Sequence, residues 1–221
     1  MAIDLTNARV LVVGATGGIG GAAADAFAAA GATVARPGRN ALDIADDASV
    51  AAFFEGAEPF DHVVVAAAQT RSGPVADLAL GDAQAAMNSK FFGAYRIAKA
   101  VRVMDGGSIT FVSGFLSQRP SASSVLQGAI NAALEALARG QALERAPVRV
   151  NTVSPGLIDT PLYAGMDDAA KTAMFDKAAA RLPAHRVGHP EDVAQAILFV
   201  ATNPYATGSA VTVDGGGTIA A

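Results

Sequence analysis

Cysteine is absent from the 221 residues. That excludes disulfides, thiolate catalysis and cysteine-ligated zinc, and it fits a reducing compartment. Lysine and arginine form no run, and the net charge is −4. Nucleic acid and anionic membranes are thereby excluded as main partners. No stretch reaches the roughly 18 consecutive apolar residues that a bilayer span needs. The opening MAIDLTNARVLVVGA lacks a basic n-region and runs straight into a strand, so no secretory signal is read there. His62, His185 and His189 have no metal-ligand spacing and read as surface or turn residues, so no metal site is expected. With no Pro/Ser-rich linker and no internal repeat, the expectation is one soluble cytoplasmic domain over residues 1–221.

What is present is 52% hydrophobic residues, much of it alanine, arranged in alternating strand and helix patterns. Arg9–Val13, Ala32–Ala35, His62–Ala67, Ser108–Val112, Val148–Val153 and Ala210–Val213 read as strands. Their continuous Val/Ile character, rather than alternation, fits strands covered on both faces. Helices are read at Gly20–Ala30, Ser49–Phe54, Asp82–Val103 (one long helix), Ala129–Leu143 with Gly140 as a stop signal for the stretch from Ser123, and Glu191–Ala201. The alternation predicts an α/β fold with a doubly wound parallel sheet. A helical insert over residues 157–188 is expected above the carboxyl ends of the strands, where such sheets bind ligands.

VLVVGATGGIGGAAADAF sets Gly14, Gly18 and Gly20, with Thr16, Gly17 and Ile19 between them, at the first strand–helix junction. Glycines there permit a tight turn and close approach to a pyrophosphate, and the helix N-terminus offers free N–H groups. The end of the second strand, ATVARPGRN, has no acid for a ribose 2′-hydroxyl but has Arg36 and Arg39. Guanidinium groups pair with a 2′-phosphate, so the cofactor expected is NADP(H); the alternative is two solvated surface arginines. Asp43, placed at the end of a short strand, is read as an acceptor for an adenine amino group or as a simple turn residue.

These residues resemble the short-chain dehydrogenase/reductase family. GATGGIG matches its glycine motif, LDIAD (with Asp43 and Ile44) its adenine-binding segment, and VRVNTVSPGLIDTP its Pro-Gly motif. GHPEDVAQAILFVAT and YATGSAVTVDGG match its C-terminal half, so the resemblance runs from about Ala8 to Gly217. It implies a Rossmann sheet of seven parallel strands and a homotetramer or homodimer. It also implies hydride transfer between a nicotinamide and a carbonyl or alcohol carbon of a small molecule. Pro155, Gly156, Ile158 and Thr160 then fall where the family contacts the nicotinamide, and Ala66 and Ala67 where its Asn-Asn-Ala-Gly stretch lies.

The departures concern the proton. The family's Tyr and Lys positions align with Ser123 and Gln127, neither of them an acid–base group of the required kind. Its helical Asn position aligns with Lys90, with Asn88 two residues early on another face of the helix. Its Ser position is Ser113 or Gly114. Lys90 reads either as a titratable group lowered into a useful range by desolvation, or as a snorkelling surface or interface lysine. Tyr163, in the insert, is another phenol able to swing in, whereas Tyr95 reads as core packing. Leu116, Leu157, Leu162 and Met166 suggest an apolar pocket. Two functions follow: an NADPH-dependent reductase of a carbonyl compound with a rearranged proton donor, or a catalytically inactive NADP(H)-binding sensor or scaffold.

Overall fold

Along β1 (Arg9–Val13), Val10 and Val12 face one core while Leu11 and Val13 face another. This two-residue alternation into two apolar layers explains why the strand reads as an unbroken Val/Leu run. The computed structural model describes residues 3–220. Met1, Ala2 and Ala221, the last residue of the Gly-rich tail, lie outside the described residues.

Six parallel strands form one sheet in the order β2-β1-β3-β4-β5-β6. The others are β2 (Thr33–Ala35), β3 (Phe60–Val65), β4 (Val103–Val112), β5 (Arg149–Pro155) and β6 (Ala210–Val213). Helices α1 (Gly18–Ala29) and α7 (Pro190–Thr202) cover one face, packing Ala23, Ala24, Phe27, Val193, Ile197 and Val200. Helices α2 (Asp47–Phe54), α4 (Gly93–Ala100) and α5 (Val125–Glu144) cover the other, over Leu11, Val63, Ile109 and Phe111. Helix α3 (Leu80–Met87) precedes α4, and α6 (Asp168–Ala179) lies in the segment after β5.

Among the described residues the sheet has six strands, not the expected seven. Only residues 36–41 separate β2 from Leu42, and a crossover between parallel strands takes about a dozen residues. The stretch turns instead. Ala41 and Leu42 both donate backbone N–H groups to the Gly38 carbonyl, at 3.0 Å each. Asp43 bends the chain by accepting from the Ala45 N–H at 3.0 Å. Asp43 is therefore a turn residue and does not end a strand. Leu42 and Ile44 still bury their side chains in the core.

The single helix expected over Asp82–Val103 is divided. Between α3 and α4 lies a π-helical turn, Asn88–Phe92, which widens the spiral to i→i+5 bonding. Gly93 follows because α4 presses on Ile44: a Cβ there would lie 2.7 Å from Ile44 Cδ1. The chain leaves α4 extended at Val101, and Val103 already belongs to β4, paired with Phe60. Gly140 does not stop α5, which continues to Glu144 with Gly140 on its exposed side. Arg145 ends it, its guanidinium donating to the Ala98 and Val101 carbonyls at 2.6 and 2.9 Å.

His62 is not a surface residue. It is buried within β3, its ring stacks on Phe27 at 5.9 Å, and Nδ1 lies 2.9 Å from Ser108 Oγ. Burial, with a smaller contribution from the nearby Arg149 charge, pushes its pKa down to about 4. Tyr95, expected in the core, is 45% exposed on α4. The segment after β5 leaves and returns at one place. Ile158 bridges Gly188, and Asp159 N–H donates to the Gly188 carbonyl at 2.8 Å. Among the described residues no helix is long and apolar enough to cross a membrane, and no group of His, Asp and Glu side chains could hold a metal ion.

Candidate active site

The strand order reverses direction between β1 and β3, which opens a crevice at their carboxyl ends. Gly14 sits there with φ +93°, and a Cβ on it would lie 2.6 Å from the Ala67 nitrogen. A Cβ on Gly20 would overlap the Gly14 carbonyl oxygen, and one on Gly18 would lie 2.9 Å from Thr160 Cγ2. The glycine loop, Ala66-Ala67 and Thr160 thus converge with no room for further side chains. Gly17 caps α1 without a side-chain hydrogen bond, and no acid occupies the first turn. The N–H groups of Gly18, Ile19 and Gly20 precede any intrahelical acceptor and remain available to an anion. Thr16 is exposed on the rim of this loop, and Ile19 packs against the α1–α7 core.

At the end of β2, Arg36 pairs with Asp25 of α1 at 2.7 Å. Arg39 lies between Asp43 Oδ2 (3.3 Å) and Gln69 Oε1 (2.8 Å), with its side chain 59% exposed. The Ala45 N–H, with help from Arg39 against partial burial, holds the Asp43 carboxyl below the usual range. At the end of β5, Pro155 and Ile158 are buried, and a Cβ on Gly156 would lie 2.7 Å from Asp214 Cα. Leu162 is 82% exposed, and Tyr163 packs edge-on against Phe175 at 5.5 Å. Burial and Asp159 push the Tyr163 phenol up, away from easy ionisation.

The π turn carries Lys90 inward. Its Nζ donates to the Ser113 carbonyl and to Asn131 Oδ1, both at 2.7 Å. Ser113 follows the end of β4, and its hydroxyl donates to Glu135 Oε1 at 3.0 Å. Ser117 donates to the same carboxylate oxygen at 2.7 Å. Burial of the ammonium pulls the Lys90 pKa down to about 8, against the opposing pull of the Glu135 charge. Gly114 packs under Asn131, where a Cβ would lie 2.6 Å from Nδ2, so the side chain that joins the cluster is that of Ser113. Asn88 faces elsewhere, bonding the Ala45 carbonyl and Arg96.

The two residues aligned with the family's Tyr and Lys are not part of this cluster. Ser123 is exposed, its hydroxyl 3.0 Å from that of Ser121. Gln127 is buried and donates to the Arg71 carbonyl, and its own Oε1 has no partner. Asn131, Glu135 and Ser117 were not expected. A signal for two of them exists: Gln127, Asn131 and Glu135 recur every four residues and form a buried polar stripe down α5.

A model described as enoyl-(acyl carrier protein) reductase matches residues 14–218. The 2,3-dihydro-2,3-dihydroxybenzoate dehydrogenase of Escherichia coli is 31% identical over 99% of this chain and 100% of its own length. Short-chain dehydrogenase/reductase ATR9 of Stachybotrys chlorohalonatus is 32% identical over 72% of this chain, and the match spans 64% of that protein, less than two thirds of it. A crystal structure of a small-chain dehydrogenase in complex with NADPH superposes with a TM-score of 0.91 and 38% identity, covering 96% of this chain and 99% of that one. The chain belongs to the short-chain dehydrogenase/reductase family.

Proposed function

We propose that this protein is an NADP(H)-dependent reductase of a carbonyl compound, an aldehyde or ketone, working in the cytoplasm with Lys90 as its proton donor. The observation that carries this reading is the buried Lys90 ammonium, held by two acceptors and brought to a pKa of about 8. A general acid is most effective when its pKa lies near the working pH. The crevice fits a dinucleotide, since Gly14, Gly18 and Gly20 pack where a Cβ would clash and Ala66 and Ala67 beside them are small. When bound, the nicotinamide supplies the hydride. Lys90 supplies the other half: one N–H bond breaks, an O–H bond forms on the substrate oxygen, and the neutral amine regains its proton from solvent. Ser123 is too short, too exposed and too weak an acid to take this part.

NADP(H) rather than NAD(H) is favoured by the absence of an acid at the end of β2 and by Arg39, whose 59% exposed side chain would exchange its surface bonds to Asp43 and Gln69 for a 2′-phosphate. Arg36 stands beside it, engaged with Asp25. One charge-assisted pair contributes about 1.5–3 kcal/mol. Arg39→Ala is therefore expected to weaken NADPH about ten- to a hundredfold while leaving NADH nearly unchanged, as read by titrating both cofactors. Equal losses for the two would count against the assignment.

Assembly is proposed as a homotetramer, with a homodimer second. Phe92, Tyr95, Val125 and Leu143, on α5 and the helical segment before β4, are 45–85% exposed, and a monomer would leave this apolar surface in water. Light scattering at micromolar concentration is expected to give a multiple of the chain mass. A second reading, an inactive sensor or scaffold, is favoured by Gln127, which is committed to the Arg71 carbonyl. NADPH oxidation with a panel of aldehydes, ketones, oxoacyl thioesters and enoyl thioesters separates the two. Turnover supports the reductase, whereas tight binding without any turnover supports the sensor.

A further inference from the structure

An ammonium has three protons, and two on Lys90 are committed, to the Ser113 carbonyl and to Asn131 Oδ1. One remains for a substrate oxygen. The Asn131 amide must present its oxygen to Nζ, because lysine offers no acceptor. One helical turn further along α5, Glu135 is 8% exposed and accepts from the hydroxyls of Ser113 and Ser117. The Ser113 hydroxyl meets only acceptors, the Glu135 carboxylate and the Val153 carbonyl at 3.4 Å. Its proton is thus committed inside the protein.

We propose that Asn131 and Glu135 are the positioning residues of the lysine centre. Asn131 fixes the direction of Nζ, and Glu135 provides the negative charge that keeps the buried amine protonated. This rests on the reading of Lys90 as proton donor. The buried polar stripe on α5 is its framework, replacing an arrangement in which the acid itself stands on that helix.

Other charges near Lys90 are otherwise engaged. On α3, Asp82 pairs with Arg71 at 3.1 Å, and on α4, Arg96 is paired with Asp47 while Lys99 is exposed. On α5, Arg139 and Glu144 are exposed, and Asp105 of β4 is exposed at the opposite end of the strand. Glu135 is the charged group that acts on the amine, opposing the effect of burial.

The test reads the lysine directly. The chain has four lysines, Lys90, Lys99, Lys171 and Lys177, so the side-chain nitrogens of protein labelled with 15N-lysine can be assigned by substitution and titrated without substrate. Glu135→Gln keeps the shape and removes the charge, and it is expected to lower the Lys90 titration by about one pH unit. Asn131→Asp places a carboxylate against Nζ and is expected to raise it. These opposite signs are not what general loosening of the structure would produce. Asn131→Asp also serves alone should Glu135→Gln fail to fold. A Lys90 titration unmoved by either substitution overturns the proposal. If the titration moves but the alkaline limb of the turnover profile does not follow, Lys90 is not the group that limits turnover. The reductase mechanism then falls while the hold of Glu135 and Asn131 on the lysine stands.

Discussion

Lys90→Met is expected to lower carbonyl reduction by about 10²–10⁴-fold, the usual loss when a positioned general acid is removed, or roughly 3–5 kcal/mol of barrier. Methionine keeps most of the volume of the side chain and removes all three N–H groups. Affinity for NADPH is expected to hold, because the Lys90 bonds run to Ser113 and Asn131 and not to the glycine loop. Ser123→Ala, at an exposed hydroxyl, is expected to change turnover by less than about twofold. The wild-type rate is expected to be flat below pH 8 and to fall above it as the amine, with its pKa of about 8, loses the proton it donates. The Met variant is expected to lack that limb. Steady-state kinetics from pH 6 to pH 10 checks both. Full activity in Lys90→Met would move the proton source to water, Tyr163 or another group.

Gly14→Ala is expected to destabilise the fold and to empty the cofactor crevice. Two costs add. An L-residue at φ +93° pays about 1–2 kcal/mol in backbone conformation. The new methyl would lie 2.6 Å from the Ala67 nitrogen and 2.9 Å from the Ala66 carbonyl carbon, both backbone atoms that have little room to move. Overpacking of that kind costs about 1–3 kcal/mol. The total, about 2–5 kcal/mol, corresponds to a fall in melting temperature of roughly 4–20 °C for a domain of this size. The stabilisation that NADPH gives the wild type in a thermal melt is expected to vanish in the variant, since β1 and β3 would be forced apart where the pyrophosphate would sit. A variant that melts with the wild type and still gains stability from NADPH would show that the crevice does not bind the dinucleotide there.

Much of the sheet was legible in the chain. β1 falls where its Val/Leu run does, because a strand buried on both faces leaves a continuous apolar signature. The glycine loop was legible for the same kind of reason, as a missing Cβ is itself the signal. The seventh strand was implied by the family resemblance, and the shortness of residues 36–41 after β2 is what argues against one. The π turn was invisible, since one extra residue in a spiral changes no periodicity that a short window can detect. His62 is hard to place because a lone histidine in an apolar strand gives no hint that Ser108 on the neighbouring strand will lie within hydrogen-bond distance of its ring. In the candidate site, Lys90 stands out by its position in a motif. Asn131 and Glu135 are hard to read from the chain because Ile130, Leu134 and Leu137 beside them carry the stronger, apolar periodicity of α5.

The enclosed amine also has a thermodynamic side. The ordinary value of the lysine amine is 10.5, and in the fold it is about 8. Between those values the unfolded chain holds a proton that the folded chain has released, so stability rises with pH across that window. Below pH 8 the penalty is present in full, and above 10.5 it is gone. The difference corresponds to about 3 kcal/mol, against a typical total of roughly 5–15 kcal/mol for a whole domain. As far as this side chain is concerned, the fold is weakest in the pH range where the amine is charged. On the proposed reading of Lys90 as proton donor, a neutral residue at position 90 would make the fold sturdier below pH 8 and would remove the proton in the same step.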